Sequence, residues 1–367
     1  MKTWDVIIIG GGIIGLSLAI ALRKRGATVL VVERGEPGRE ASHAAGGMLV
    51  DSPLETPPVL QPLASASARM YPEFAREIEL ESGMKVDLRD NGTILLQKKA
   101  EELADAPRLS LEDLGELEPD FASTAKPAFF LKERTVDPRA LTAAVLQAAK
   151  NLGVDFSSGD TVTAVNLSDG HVSGITTAKT SFLAEKVVNC AGAWSSQIGP
   201  HPIPTRPVKG QMLCLAMRPH DLIRHVIRTP DVYLIPRSDG RLLVGATVEE
   251  AGFDKRTDAD TMHRFHRAAL ELVPSLNDSR ILESWAGLRP GTPDKLPILG
   301  ETATPGYYAA TGHFRDGILL APITAQVMSQ AISDEMSPYD VAPFSPQRFA
   351  QADGHPPARC GPDARER

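Results

Sequence analysis

The sequence predicts an α/β fold, with a parallel sheet covered by helices, assembled from separated stretches of chain, and a second β-sheet inserted between those stretches. Three observations carry this expectation. Residues 4–33 read as strand, glycine turn, helix, strand, which is one βαβ unit and therefore a pair of parallel strands with a helix on their face. A strand-rich block occupies 207–245. Glycine-rich loops and a helix rich in small and apolar residues return near 321–333, so the first module is completed from the far end of the chain.

Taken in order, Val6-Ile7-Ile8-Ile9 is a short β-branched run suited to a strand buried on both faces. Gly10-Gly11-Gly12 interrupts it, Ile13 to Arg25 has helical spacing, and Gly26 is placed to end that helix. Thr28 to Val32 is a second buried strand. The stretch Glu36 to Pro62, rich in Gly, Ser, Ala and Pro, reads as an ordered loop region. A helix follows over 64–82, and another over 139–152, where Asp137 supplies an N-cap and Pro138 fits the first turn. Strands are expected at 162–165, 172–176 and 186–190, then at 207–217, 232–236 and 241–245, with a helix at 258–272. On this reading 1–85, 138–205 and 281–340 form a discontinuous nucleotide-binding domain, 86–137 and 206–280 form the substrate domain, and 345–367 form a mobile tail.

Composition excludes several classes. With 42% hydrophobic and 23% charged residues, the 367-residue chain is ordinary for a globular enzyme. A net charge of -7 gives no electrostatic reason to expect nucleic acid or an anionic membrane as partner. A small anionic or zwitterionic ligand then needs a locally placed cation. The three cysteines, Cys190, Cys214 and Cys360, offer neither a disulfide framework nor zinc spacing, so a reducing cytosol is expected and no metal. The uncharged run Val6 to Leu22 is broken by glycines and shorter than the roughly 20 apolar residues of a membrane span.

Gly10-Gly11-Gly12-Ile13-Ile14-Gly15 fits the G-x-G-x-x-G fingerprint between a strand and a helix. Gly10 permits the tight turn, Gly12 lets backbone approach a pyrophosphate, and Gly15 lets helix and strand pack closely. The helix N-terminus offers free N–H groups and partial positive charge to phosphates. Glu33 ends the second strand, where its carboxylate can accept hydrogen bonds from ribose hydroxyls. The alternative is a glycine-rich turn in an unliganded α/β domain, and the motif does not separate FAD from NAD.

Further stretches are more specific. These are Val187-Val188-Asn189-Cys190-Ala191-Gly192-Ala193-Trp194, then Trp285-Ala286-Gly287-Leu288-Arg289-Pro290-Gly291-Thr292 with Pro297-Ile298-Leu299-Gly300, then Gly312-His313-Phe314-Arg315-Asp316-Gly317-Ile318-Leu319-Leu320-Ala321-Pro322. With the loop Ala44-Ala45-Gly46-Gly47-Met48-Leu49, they make the chain resemble the D-amino acid oxidase superfamily, and within it the glycine oxidases of thiamine biosynthesis, over about residues 4–335. The resemblance implies a Rossmann-like FAD domain whose flavin is covered by the large sheet of a mixed-sheet substrate domain. It implies that Gly10, Gly12, Ile13, Ile14 and Gly15 cradle the FAD phosphates. Glu33 and Arg34 would contact the adenosine half, and Val162 would offer its backbone to adenine. Ala41, Ser42, Gly46, Gly47 and Met48, with Ala191 and Gly192, would line the way to the flavin, and His313, Phe314, Arg315, Asp316, Gly317, Ile318 and Leu319 would wrap the ring.

By the same resemblance Arg289 is the carboxylate-binding arginine, Tyr233 the active-site tyrosine and Arg315 a second pocket-side arginine. A guanidinium suits that task because it can hold a carboxylate through two parallel hydrogen bonds. The bland readings stand beside these roles: Arg289 paired with an acidic neighbour, Tyr233 as core, Arg315 in a structural salt bridge. The implied activity is oxidation of glycine or another small amino acid to the imino acid, then hydrolysis to keto acid and ammonia, with O2 reduced to H2O2. The imine would serve thiazole formation, with a possible hand-off to thiazole synthase, and family members are commonly tetramers. No side-chain base is required, and His313 is read as a ring-adjacent residue. Sarcosine oxidases attach FAD through a cysteine near this arginine's stretch. None stands between Cys214 and Cys360, so non-covalent FAD is expected. D-amino acid oxidase, a quinone-linked dehydrogenase and an FAD-holding subunit without amine chemistry are the rivals. Asp231 and Val248 fall near the expected pocket lining and leave substrate preference open.

Overall fold

The computed structural model describes residues 2–53, 55–97, 106–122 and 126–349. At its centre Thr3–Ile9 pairs in parallel with Val29–Glu33 on one side and Ser181–Asn189 on the other. Asp155–Ser158 extends the sheet beyond Val29–Glu33. Beyond Ser181–Asn189 the sheet forks. The start of that strand pairs antiparallel with His171–Thr177, which carries Val162–Ser168, and its end pairs in parallel with Tyr307–Thr311, which carries Ile298–Glu301. Strands from the beginning, middle and end of the chain thus build one eight-stranded sheet.

Its two faces follow from side-chain alternation. Val6 and Ile8 point into a core shared with the helices Ile13–Lys24, Gln61–Ser82, Pro138–Asn151 and Ala321–Ile332, whereas Ile7 and Ile9 face a second core with Ile175, Val187 and Tyr307. The helix Ile13–Lys24 has nine buried residues, because it is packed between the sheet and the other helices.

The second sheet also has eight strands, in the order Arg280–Gly291, Arg206–Ala216, Arg241–Gly245, Tyr233–Pro236, Val226–Arg228, Thr93–Leu96, Ala128–Leu131, Arg108–Leu109. It is mixed, since Val226–Arg228 and Thr93–Leu96 run in parallel. Alternation again sorts its faces. Leu213 and Leu215 pack under the amphipathic helix Ala259–Leu272, while Met212, Cys214 and Ile235 turn the other way, toward Met48 and Tyr233. A small three-stranded sheet, Met48–Leu49, Arg134–Val136 and Leu88–Arg89, joins the two halves.

Several expectations are corrected. Arg280–Gly291, expected among glycine-rich loops, is a twelve-residue strand of the large sheet, and the domain boundary expected at 281 falls inside it. The reason is non-local: eleven residue pairs along Arg206–Ala216 impose the strand on a sequence of mixed polarity. The region 36–62 contains a short helix, Ala41–Ala44, and the strand Met48–Leu49. The first residues of the expected tail are packed. Pro346–Phe349 forms a 3-10 turn whose Arg348 donates to Asp294 at 2.8 Å and to Leu296 O at 3.1 Å. Residues 350–367 lie outside the described residues.

Candidate active site

The glycine turn sits where three parallel strands end. Gly10 has φ +109°, and a Cβ there would stand 2.5 Å from the carbonyl oxygen of Cys190. At Gly15 a Cβ would fall 2.1 Å from Gly10 O, so helix and turn can approach this closely only with glycine. Gly12 is the N-cap of the helix, and the Ile13 N–H donates to Ser42 Oγ at 2.9 Å. The Glu33 carboxylate accepts from the Gly11 N–H at 2.8 Å and the Gly35 N–H at 2.9 Å. It therefore braces the turn; each oxygen keeps a further lone pair, so the expected ribose contact is shared with this bracing rather than exclusive. Beside it Arg34 lies 3.5 Å from the centroid of the Trp194 ring and pairs with Glu40 at 3.0 Å.

One continuous cavity runs from this turn, past 160–162 and Gly46-Gly47-Met48, to the inner face of the large sheet. Of the residues nominated from sequence, all but Gly15, Asp316 and Leu319 line it. Gly15 acts through packing, as its contact with Gly10 shows. Leu319 is core, 1% exposed, and its carbonyl accepts from Ser67 Oγ at 2.6 Å. Asp316 stands off the cavity, and burial raises its carboxyl to about 6, against the opposing pull of Arg315. Val248 lines the cavity; Asp231 is exposed and does not.

Arg289 rises from the long edge strand. Its Nη1 donates to Thr247 O at 3.0 Å and Lys209 O at 3.3 Å. Among the described residues no carboxylate comes within 4.0 Å of it, which removes the bland reading of a structural ion pair. Burial lowers the pKa of this guanidinium, and neighbouring Tyr233 opposes the shift. The Tyr233 hydroxyl donates to Met212 Sδ at 3.4 Å, and burial raises its pKa against the fields of Arg289 and Arg315. Both side chains are half-buried, their remaining exposure being toward the cavity that they line. Arg315 is more open: its side chain is 53% exposed and its carboxylate neighbour, Glu55, is 4.0 Å away. Glu55 is held more closely by buried Arg228, at 3.1 Å. His313 is buried with Nε2 3.0 Å from Thr324 Oγ1, and burial pulls it down to about 3, so it stays neutral.

Sequence reasoning missed Gly210, Met212, Gly287, Trp194 and Glu40, which line the same cavity. Gly210 and Gly287 are opposite each other across two strands. A Cβ on Gly210 would meet Arg289 Nη1 at 2.3 Å, and one on Gly287 would meet Ala44 Cβ at 2.4 Å. Paired glycines inside strands were the available signal, since they mark a close approach. Among the described residues no cluster of His, Cys, Asp and Glu could hold a metal, and no helix is long and apolar enough to cross a membrane.

The family model described as FAD dependent oxidoreductase (DAO) matches residues 5–331. The chain belongs to this family. It is an FAD-dependent oxidoreductase. The bifunctional protein ThiO/ThiG of Synechocystis sp. is 36% identical over 98% of the chain, which spans 56% of that relative's length. The hydrogen cyanide synthase subunit HcnC of Pseudomonas aeruginosa is 32% identical, with 95% of this chain and 97% of the relative covered. The crystal structure of glycine oxidase from Geobacillus kaustophilus superposes with a TM-score of 0.89 at 31% identity, covering 95% of this chain and 99% of that one.

The site's residues fit FAD. The cavity begins at a helix N-terminus whose N-cap, Gly12, has no side chain to cap it, Ser42 Oγ taking the Ile13 N–H, and continues past Gly192, where φ is +56° and a Cβ would meet nothing within 4 Å. It ends under a sheet face carrying a cation free of any carboxylate partner among the described residues.

Proposed function

We propose that this FAD-dependent oxidoreductase oxidises a small α-amino acid, glycine first, to the imino acid. Hydrolysis then gives the keto acid (glyoxylate from glycine) and ammonia, and O2 is reduced to H2O2. The observation that carries this is Arg289. It is a guanidinium with no carboxylate neighbour, set beside Tyr233 at one end of the FAD cavity. Bound FAD, held without a covalent link, supplies the two-electron acceptor for hydride from the substrate Cα. The glycine turn, Ala41, Ser42, 46–48, Val162, 191–192 and the cavity-lining residues of 313–318 would hold it, with Glu33 and Arg34 at its adenosine half; Gly15 packs behind the lining, and Asp316 and Leu319 stand off it.

In this reading the two Lys209 and Thr247 carbonyls fix Nη1, and the rest of the guanidinium receives the substrate carboxylate. That orients Cα as well as binding it. Tyr233 borders the same carboxylate, its hydroxyl kept protonated by burial. Arg315 adds positive potential at the open side of the cavity. His313, neutral and bonded to Thr324, is not a proton shuttle, and no side-chain base is assigned. The neutral amine needed for hydride departure comes from solution equilibrium.

The likeness to ThiO/ThiG supports a hand-off of the imine to thiazole synthase, and the family resemblance supports a homo-oligomer. The likeness to the HcnC subunit supports a second reading, in which the same oxidation serves cyanide formation; a cyanide assay on glycine turnover separates the two. The central test is Arg289→Ala. The variant should stay yellow and lose about 3 kcal/mol of carboxylate binding, a KM rise on the order of 100-fold. An unchanged KM for glycine, N-methylglycine, D-alanine and D-proline alike would take Arg289 out of the pocket. Oxygen consumption with peroxide formation tests the acceptor against a quinone.

A further inference from the structure

The loop 246–257 leaves the large sheet at Gly245 and returns at the helix Ala259–Leu272. Its roots are fixed. The Gln211 N–H donates to Thr247 Oγ1 at 2.9 Å, Gln211 Nε2 to Glu249 at 2.8 Å, and the Asp258 N–H to Gln211 Oε1 at 2.7 Å. Its tip does something a solvent loop has no need to do. Phe253 is 43% exposed, yet its ring stacks on Trp194 with centroids 5.2 Å apart and planes at 28°. Two residues on, Lys255 Nζ reaches Glu40 at 3.1 Å.

Both targets belong to the nucleotide end of the cavity. Trp194 and Glu40 line it, and both also hold Arg34, through its place over the indole and the 3.0 Å ion pair. An exposed aromatic and an exposed lysine on a loop that springs from the substrate-side sheet therefore grip the two side chains that fix Arg34. We propose that Phe253 and Lys255 are positioning residues that make this loop a clasp retaining FAD. They act through Trp194, Glu40 and Arg34 at the adenosine end and touch neither the substrate nor the reacting atoms. The inference rests on the placement of adenosine beside Glu33 and Arg34 proposed above.

The test uses the full-length holoenzyme and measures the rate of FAD release on dilution. Phe253→Ala is expected to release FAD about tenfold faster, the scale of one aromatic pair, and Lys255→Met about threefold to fivefold faster, the scale of one surface ion pair. The double variant should be faster still and Phe253→Trp close to the parent. At saturating FAD, kcat should be unchanged, and the apo-protein should melt within about 4 °C of the parent, the scale of one lost surface contact, which separates clasping from a general loss of structure. Glu33→Gln, run in parallel, tests the placement. If it speeds release while Phe253→Ala and Lys255→Met stay within twofold of the parent, the clasp alone is overturned. If none of the three changes release, the adenosine placement falls with it.

Discussion

Arg289 owes its place to the residue beneath it. The guanidinium lies against Gly210 so closely that a methyl group there would sit 2.3 Å from Nη1 and 2.6 Å from Cζ. Gly210→Ala leaves every charge in place and moves only the clamp. The expected outcome is a KM for amino acid raised on the order of tenfold, about 1.4 kcal/mol, with the flavin spectrum intact. A KM equal to the parent's would show that the clamp tolerates displacement. The site was legible residue by residue where the chain carries its own signal. The glycine turn, Glu33 and the Arg289 stretch announce themselves locally. Gly210 and Gly287 gain meaning only when opposed across a ladder, and Trp194 only once Arg34 and Phe253 meet it.

At the level of elements, the helix Pro138–Asn151 shows how one capping carboxylate serves both halves. Asp137 accepts from the Arg139 N–H at 2.8 Å, and Arg241 of the large sheet pairs with its other oxygen. Burial pushes the Asp137 carboxyl up, but Arg237, Arg241 and the cap hydrogen bond outweigh it and the net shift is downward. A carboxyl whose folded pKa lies below its unfolded one stabilises the fold above the unfolded value, near 3.9, and loses that contribution as pH falls through the folded pKa. Asp137→Ala should cost about 1–3 kcal/mol near neutrality, as a lost cap plus one of the two ion pairs of half-buried Arg241, which keeps Asp239 at 2.7 Å. Thermal melts should show the gap to the parent narrowing below about pH 4; a gap independent of pH would assign the loss to packing. This helix was readable because Asp-Pro is a local signal. The strands Thr93–Leu96 and Val226–Arg228 were not, since each is four residues or fewer and exists through pairing with the other.

For the molecule as a whole, the βαβ unit and a return of the chain to complete its sheet could be foreseen, whereas the long edge strand could not. That strand matters globally. Arg280–Gly291 belongs to the large sheet, yet Trp285 Nε1 donates to Ala44 O at 3.1 Å and Arg139 lies 4.5 Å from the Trp285 ring, so one strand ties both halves together along the cavity. Cys190 lies under the nucleotide turn and Cys214 within the large sheet, each buried, with burial raising the pKa of both thiols. With Cys360 replaced by serine, the chain carries one natural sulfhydryl label in each half, both mute toward iodoacetamide until local opening exposes them. Saturating FAD should slow alkylation at Cys190 far more than at Cys214, and equal slowing would mean that the two halves open together as one cooperative body.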